Sequence, residues 1–414
     1  MVRVGFIDTS PFWKYSYGEY HPLKMYRIYL TQELQRAKGL LVGVEIIYPK
    51  MADMGLIKKF HSEDYLRVLE LADEGDWRDY MIYYGLGTGD CPVVKGIYTA
   101  SLLSAGASQL CAEYIIKGGK FAFNMAGGLH HAMPDRASGF CYINDPVIAI
   151  FKLLENFNRV LYLDIDAHHG DGVERAFYSD PRVFTISTHE SGKYLFPGTG
   201  FEYEMGEGEG FGYSLNFPFP PNSGDDVYIW AFENVIKRAI ENFKPEVVVL
   251  QSGADALKGD PLTHWNLTTN SYITVYDFVL SLGIPVLALG GGGYNVGNVC
   301  RLWTILLSKL TGKAIDDQVP EEWKERARRY GVNIEKIFDF ERTTSSFKVW
   351  DEVKRVADYL LQNHPILSHI FLGRLAVVRK SRLIYYQKTS PFGVLMFITS
   401  PQGRGKRSLM GLGF

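Results

Sequence analysis

Val160-Leu161-Tyr162-Leu163-Asp164-Ile165-Asp166-Ala167-His168-His169-Gly170-Asp171-Gly172 begins as an apolar run and breaks into acids, imidazoles and glycine. A short apolar segment that ends abruptly in polar residues reads as a buried strand followed by a turn. The chain repeats this arrangement on both sides of that stretch. Phe121-Ala122-Phe123 leads to Gly127-Gly128-Leu129-His130-His131. Val247-Val248-Val249-Leu250 leads to Gln251-Ser252-Gly253-Ala254-Asp255, and Val286-Leu287-Ala288-Leu289 leads to Gly290-Gly291-Gly292-Gly293-Tyr294. Helical patterns separate the four units, at about 145–155, 172–178, 225–243, 270–282 and 295–310. Strand and helix in alternation predict an α/β fold, an open and mostly parallel sheet with helices on both faces. In such sheets the ligand site lies beyond the carboxyl ends of the strands. Two histidine-rich turns, several carboxylates and a tyrosine are therefore expected along one sheet edge, as in a metal-assisted hydrolase.

Working outward, Met1 to Asp8 reads as a first strand, with another at 44–48. Ser62-Glu63-Asp64 can cap a helix running to about Asp73, and a small-residue helix is expected over 93–116. The stretch 192–223, rich in glycine, proline and aromatics, reads as long loops. After about Pro365 the character changes. Eight basic residues from Arg374 to Arg407 meet no acid, so this part carries +8 and the rest about −10 of the net −2. The expected division is a catalytic domain over 1–364 and a small basic β appendage over 365–414, with strands at 382–387 and 393–399. Its basic face is either simply solvated or docks nucleic acid or an acidic partner.

The bulk properties exclude several classes. With 46% hydrophobic and 22% charged residues the chain can bury a large core. Cys91, Cys111, Cys141 and Cys300 form no CxxC pair, which argues against a disulfide framework or zinc knuckle. Cys141 is expected to be a buried thiol. The N-terminus has no apolar leader pattern, and no run of about 18 apolar residues suggests a membrane span. Cytoplasmic location is the default expectation. Nothing in the sequence sets the oligomeric state.

Asp166 and His168 stand at i and i+2 after a strand, so both can face one ion. Asp255, at the end of another strand, can add a third ligand. An Asp/His/Asp set suits catalytic Zn²⁺, which takes nitrogen and oxygen ligands and keeps an open position. Fe²⁺ or another divalent ion also fits mixed imidazole and carboxylate ligands. His130 and His131 need partners if buried, and Asp164 and Asp171 are candidates that would fix tautomer and orientation. A histidine with an orienting acid is the usual acid–base device; either histidine could instead be a ligand. Tyr294, delivered by a glycine run that lacks phosphate-loop spacing, is a candidate donor to an oxyanion.

Taken together, these residues resemble the histone deacetylase family, in its class I and acetoin-utilization-protein branch, within the arginase/deacetylase fold. The resemblance runs from about Val4 to Leu310. It rests on the four units above together with His21-Pro22-Leu23-Lys24 and Arg27, Phe60-His61-Ser62-Glu63-Asp64-Tyr65 and Asp90-Cys91-Pro92. It also includes Ser138 to Asp145, Phe196-Pro197-Gly198-Thr199-Gly200 and Gly259-Asp260-Pro261. The resemblance implies that Asp166, His168 and Asp255 bind zinc, that His130 pairs with Asp164 and His131 with Asp171, and that Tyr294 stabilises the transition state. It implies that Phe140 and Phe196 wall an acyl-lysine tunnel, with Gly139 beside it, Leu262 at its rim and Asp90 holding the substrate backbone. Arg27 would line an inner channel that releases acetate. Monovalent cation sites, such as for K⁺, would lie near Asp164, Asp166, His168 and Ser187. Leu195 stands where class I enzymes often have a second Phe, which implies a slightly looser tunnel. The family implies zinc-dependent removal of acetyl groups from N-acetyl-lysine of proteins. The alternatives are a deacetylase of small acetylated amines such as acetylpolyamines, or a non-catalytic, metal-bound scaffold.

Overall fold

Eight extended runs form one sheet: β1 (Val4–Ile7), β2 (Glu45–Ile47), β3 (Phe121–Asn124), β4 (Val160–Asp164), β5 (Val183–Glu190), β6 (Ser214–Phe219), β7 (Val247–Gln251) and β8 (Val286–Leu289). Their order in space is β2-β1-β3-β8-β7-β4-β5-β6, and every pair is parallel. The computed structural model describes residues 3–368. The strands expected at 382–387 and 393–399 lie outside those residues.

Every residue of β1 and of β3 to β8 is buried, so side chains pointing to either face are covered. Only helices on both sides of a sheet do this, and it explains why β4 and β7 read as continuous rather than alternating apolar runs. The helix Ile97–Ile116 shows the local logic. Its alanines, serines and glycine let it lie close to its neighbours; a methyl on Gly106 would run into the backbone of Lys50 and Met51. The helix Asp145–Leu153 starts where Asn144 accepts from Val147 N–H at 3.2 Å and Pro146 fills the first turn. Observed helices at Asp171–Phe177, Thr269–Ser281 and Val296–Thr311 fall within a residue or two of expectation. The long helix expected over 225–243 is interrupted by a π turn at Phe232–Ile236.

Two strands correct the sequence reading. The stretch 192–223 is not all loop, because β6 runs through its end. β5 was not anticipated either. The packed body also continues beyond His364: Ile366 and Leu367 are buried, and their carbonyls accept from Asn242 Nδ2 at 2.8 Å and Arg238 at 3.1 Å. Among the described residues, no helix is long and apolar enough to cross a membrane.

The four polar-ended units of the sequence are β3, β8, β7 and β4. These are consecutive in the centre of the sheet. Their carboxyl ends therefore open side by side, which is what places the chemistry.

Candidate metal centre and active site

Asp166 and His168 leave the end of β4, and Asp255 leaves the end of β7 beside it. Their ligand-type atoms all lie within 4.8 Å of one another, and all three residues are buried. His168 Nδ1 is 3.1 Å from Asp166 Oδ1 and 2.9 Å from Asp255 Oδ2. The remaining lone pairs are aimed by backbone N–H groups and by Gln251. Asp166 accepts from Gly292 N–H at 2.7 Å and from Gln251 Nε2 at 2.8 Å, while Asp255 accepts from Ala167 N–H at 3.0 Å. The approach requires glycine. A side chain at Gly253 would collide with the Asp166 carboxylate, and one at Gly292 with that of Asp255.

Two buried carboxylates converging on one imidazole nitrogen need positive charge. Burial, then the neighbouring Asp166 charge, pushes Asp255 up to about 7. Burial acts the same way on Asp166, but the His130 charge and the bond from His168 outweigh it and hold that carboxyl well below its ordinary value. A divalent cation fits this donor set of two carboxylates and one imidazole, and it would relieve the repulsion.

Two His–Asp pairs border the centre. His130 Nδ1 is 2.8 Å from Asp164 Oδ2, which also accepts from Tyr162 O–H at 2.7 Å. His131 Nδ1 is 2.8 Å from Asp171 Oδ1. The adjacent imidazoles, with ring centroids 4.0 Å apart, divide their roles. Burial would lower His130, but the charges of Asp164 and Asp166 prevail and raise it to about 9. Burial and the His130 charge push His131 down to about 4, against the pull of Asp171. The two imidazoles are thus shifted in opposite directions, His130 toward its protonated form and His131 toward its neutral form.

Tyr294 is carried by the turn after β8, and its backbone N–H donates to Asp260 Oδ2 at 2.7 Å. Burial, with the charges of Asp255 and Asp166, raises its hydroxyl well above the ordinary value, so it stays a donor. Its ring meets His168 and Phe140 edge to face, at 6.5 and 5.6 Å between centroids. Phe140 adopts φ 69°, and its carbonyl accepts from Tyr17 O–H at 2.9 Å. Across from it, the Phe196 ring stands against His131 at 5.0 Å. Gly139 lies between; a side chain there would press on both His131 and Phe196. A small cavity reaches from Phe140 and Gly139 past His131 to Asp166 and Tyr294.

The remaining expected residues lie farther out or farther in. Asp90 is exposed, and its carbonyl is 3.2 Å from His21 Nε2, whose ring packs on Phe140. Leu262 is half-buried on the loop that Asp260 ties down. Arg27 is buried and donates to Gly293 O at 2.9 Å and Gly291 O at 2.8 Å, bracing the turn that carries Tyr294. It also borders an inner cavity with Tyr17, Leu23, Met25 and Leu129. Ser187 pairs in register with Asp164. All four cysteines are free and buried; burial raises Cys141 well above its ordinary value, which leaves it a poor nucleophile.

Sequence reasoning missed Gln251, which bridges Asp166 and Gly253 N–H. It also missed Asp145 as a brace: its carboxylate accepts from the backbone N–H of Gly128 and Leu129, fixing the turn that delivers the histidines. The signal for Gln251 was present, since a glutamine directly after four apolar strand residues is buried and needs partners.

The family model for the histone deacetylase domain matches residues 21–310. Type-1 histone deacetylase 1 of Dictyostelium discoideum is 40% identical over 371 residues, covering 89% of this chain and 74% of that protein. Histone deacetylase 1 of Homo sapiens is 43% identical over 312 residues, covering 74% of this chain and 64% of the human protein's length. A crystal structure of an HDAC homolog from Aquifex aeolicus superimposes with a TM-score of 0.79 at 34% identity, covering 86% of this chain and 100% of that one. A structure of an HDAC homolog complexed with SAHA gives the same TM-score and identity, covering 86% of this chain and 98% of that chain.

Proposed function

The chain belongs to the histone deacetylase family, and from that premise we propose that it hydrolyses the acetyl amide of N-acetyl-lysine in proteins, using a divalent metal at Asp166, His168 and Asp255. The observation that carries this reading is the joining of that buried ligand set to two His–Asp pairs and a protonated tyrosine. We assign the ion as Zn²⁺, on the nitrogen and oxygen donor set. A monovalent cation such as K⁺ is proposed beside Asp164 and Ser187.

When bound, the divalent ion supplies a Lewis acid for the acetyl carbonyl and an acidified water. The protein's own groups do the rest. Phe140 and Phe196 flank the acyl-lysine stem and exclude water from it. His131 Nε2 takes the proton of the attacking water, while Asp171 holds Nδ1 and keeps that nitrogen free to accept. The same nitrogen returns a proton to the departing lysine amine. His130 stays paired with Asp164 and keeps positive charge near the developing oxyanion. The Tyr294 hydroxyl donates to that oxyanion, a contribution of about 10²–10³-fold for a single donor. Asp90 holds the substrate backbone at the rim, and Arg27 lines the way out for acetate.

The test is turnover of an acetyl-lysine peptide by the purified chain, with and without chelator and with Zn²⁺ or Fe²⁺ restored, beside an acetylpolyamine. Chelator-sensitive release of acetate from the peptide is expected. Turnover that ignores chelator, or that occurs on the polyamine alone, overturns the reading.

A further inference from the structure

His169 follows a proposed metal ligand in the chain, yet its ring serves something else. Its Nε2 faces Glu174 Oε2 at 3.4 Å, and its Nδ1 is hydrogen-bonded to the Thr199 hydroxyl at 2.9 Å. His189, near the end of β5, makes the companion contact. Its Nε2 donates to Gly200 O at 2.7 Å, and its Nδ1 lies 2.8 Å from Ser187 Oγ. The two rings touch, with centroids 4.8 Å apart, and both are almost wholly buried. Gly200 has φ +82°, and a side chain there would overlap both imidazoles. Thr199 and Gly200 are thus pinned to two buried rings, and Gly200 N–H is further tied to Glu204 Oε2 at 2.8 Å.

This pin is one foot of a short arch. The other foot is Ser191, whose carbonyl accepts from Tyr194 N–H at 2.9 Å and Leu195 N–H at 3.1 Å. Phe196 stands between the feet. The residue is 42% exposed and its ring leans on His131, so one face is left without side-chain support.

We propose that Thr199, held by His169, is a positioning residue that fixes the Phe196 wall and so sets the width open to the acyl group. The inference rests on the acetyl-lysine reading of the site. Thr199 does not touch the reacting atoms; it acts through Phe196. The turn that presents His168 to the metal thereby also sets the tunnel through its next residue.

Thr199→Val keeps the shape and removes the hydroxyl at an exposed position, where the fold tolerates it. On an acetyl-lysine peptide, KM should rise by roughly 5-fold or more, as for loss of one hydrogen bond. The kcat and bound metal should stay at parental levels, and the preference for acetyl over butyryl should narrow. Thr199→Ser should restore both KM and acyl preference. Unchanged KM and preference in Thr199→Val overturn the proposal, as does a fall in kcat and metal content with KM unmoved, or a serine variant that behaves like the valine one. A metal-loaded parent that is inactive on the peptide sinks the deacetylase reading and this inference with it. An active parent with an indifferent Thr199→Val sinks the inference alone.

Discussion

The floor of the site and its wall are built in different ways. On the floor, Asp164, Asp166 and Asp255 are fully buried at strand ends, and each carboxylate is held by backbone N–H groups or side chains of neighbouring elements. On the wall, Phe196 and Asp90 are exposed and stand on loops, with Asp90 held through its backbone carbonyl and its carboxylate left outside. Rigid strand ends can hold a metal and two His–Asp pairs to fractions of an ångström; loops can change without disturbing them. Chemistry and selectivity are therefore separable here. Substitutions on the floor should abolish turnover, and those on the wall should retune it.

Breaking that division should be hardest at the ligands. Asp166→Ala or His168→Ala removes one of three protein ligands, so metal content and turnover should fall together to background. Full metal occupancy by elemental analysis with normal turnover would refute the assignment. Tyr294→Phe should lower kcat by about 10²-fold or more while metal content and thermal midpoint stay parental, because only one oxyanion donor is lost. A parental kcat would remove the tyrosine from the mechanism.

A pH test probes the scaffold under the floor. His61 Nε2 accepts from Asn144 N–H at 3.1 Å, and Asn144 Nδ2 donates to the carbonyls of His130 and Ala132, both at 3.0 Å. Burial pushes His61 down to about 4, below the value of about 6.5 for a free imidazole. The unfolded chain therefore binds the proton first. This residue's contribution is full above about pH 6.5 and is lost as pH falls toward 4, on the order of 2 kcal/mol by pH 5. Urea denaturation at pH 7.5 and 5 should show that extra loss in the parent relative to His61→Gln; equal losses would contradict it. The smallest effect belongs to the wall. Asp90→Ala should raise KM for an acetyl-lysine peptide by roughly 10-fold, consistent with one charge-assisted hydrogen bond, and leave kcat alone. A kcat defect with constant KM would show that rim and floor are coupled after all.

The sheet centre was legible because β3, β4, β7 and β8 are apolar on both faces and end in turns of unmistakable chemistry. β5 was not, because Thr185, Ser187, Thr188 and His189 point polar groups into buried bonds that a hydropathy pattern cannot show. β6 hid behind Pro218 and the glycines before it. The ligand set could be proposed from spacing at a strand end. The clamp on Thr199 could not, since His169 in sequence looks like part of the same histidine cluster. The left-handed backbone of Phe140 was equally hidden, for nothing in the residue type asks for it.

The place of β8 bears on how the chain acquires its shape. Among the described residues β8 is the last strand in the sequence, and it lies between β3 and β7. Without it, β3 pairs only with β1, and β7 only with β4. A nascent chain that has not yet produced Val286 can therefore build two separate ribbons, β2-β1-β3 and β7-β4-β5-β6, but not one sheet. β8 is the keystone that joins them, and it arrives with the glycine turn that braces Asp166 and carries Tyr294. Contacts this distant in sequence form late and slowly. A ribosome must release most of the catalytic body before the two ribbons can be locked together.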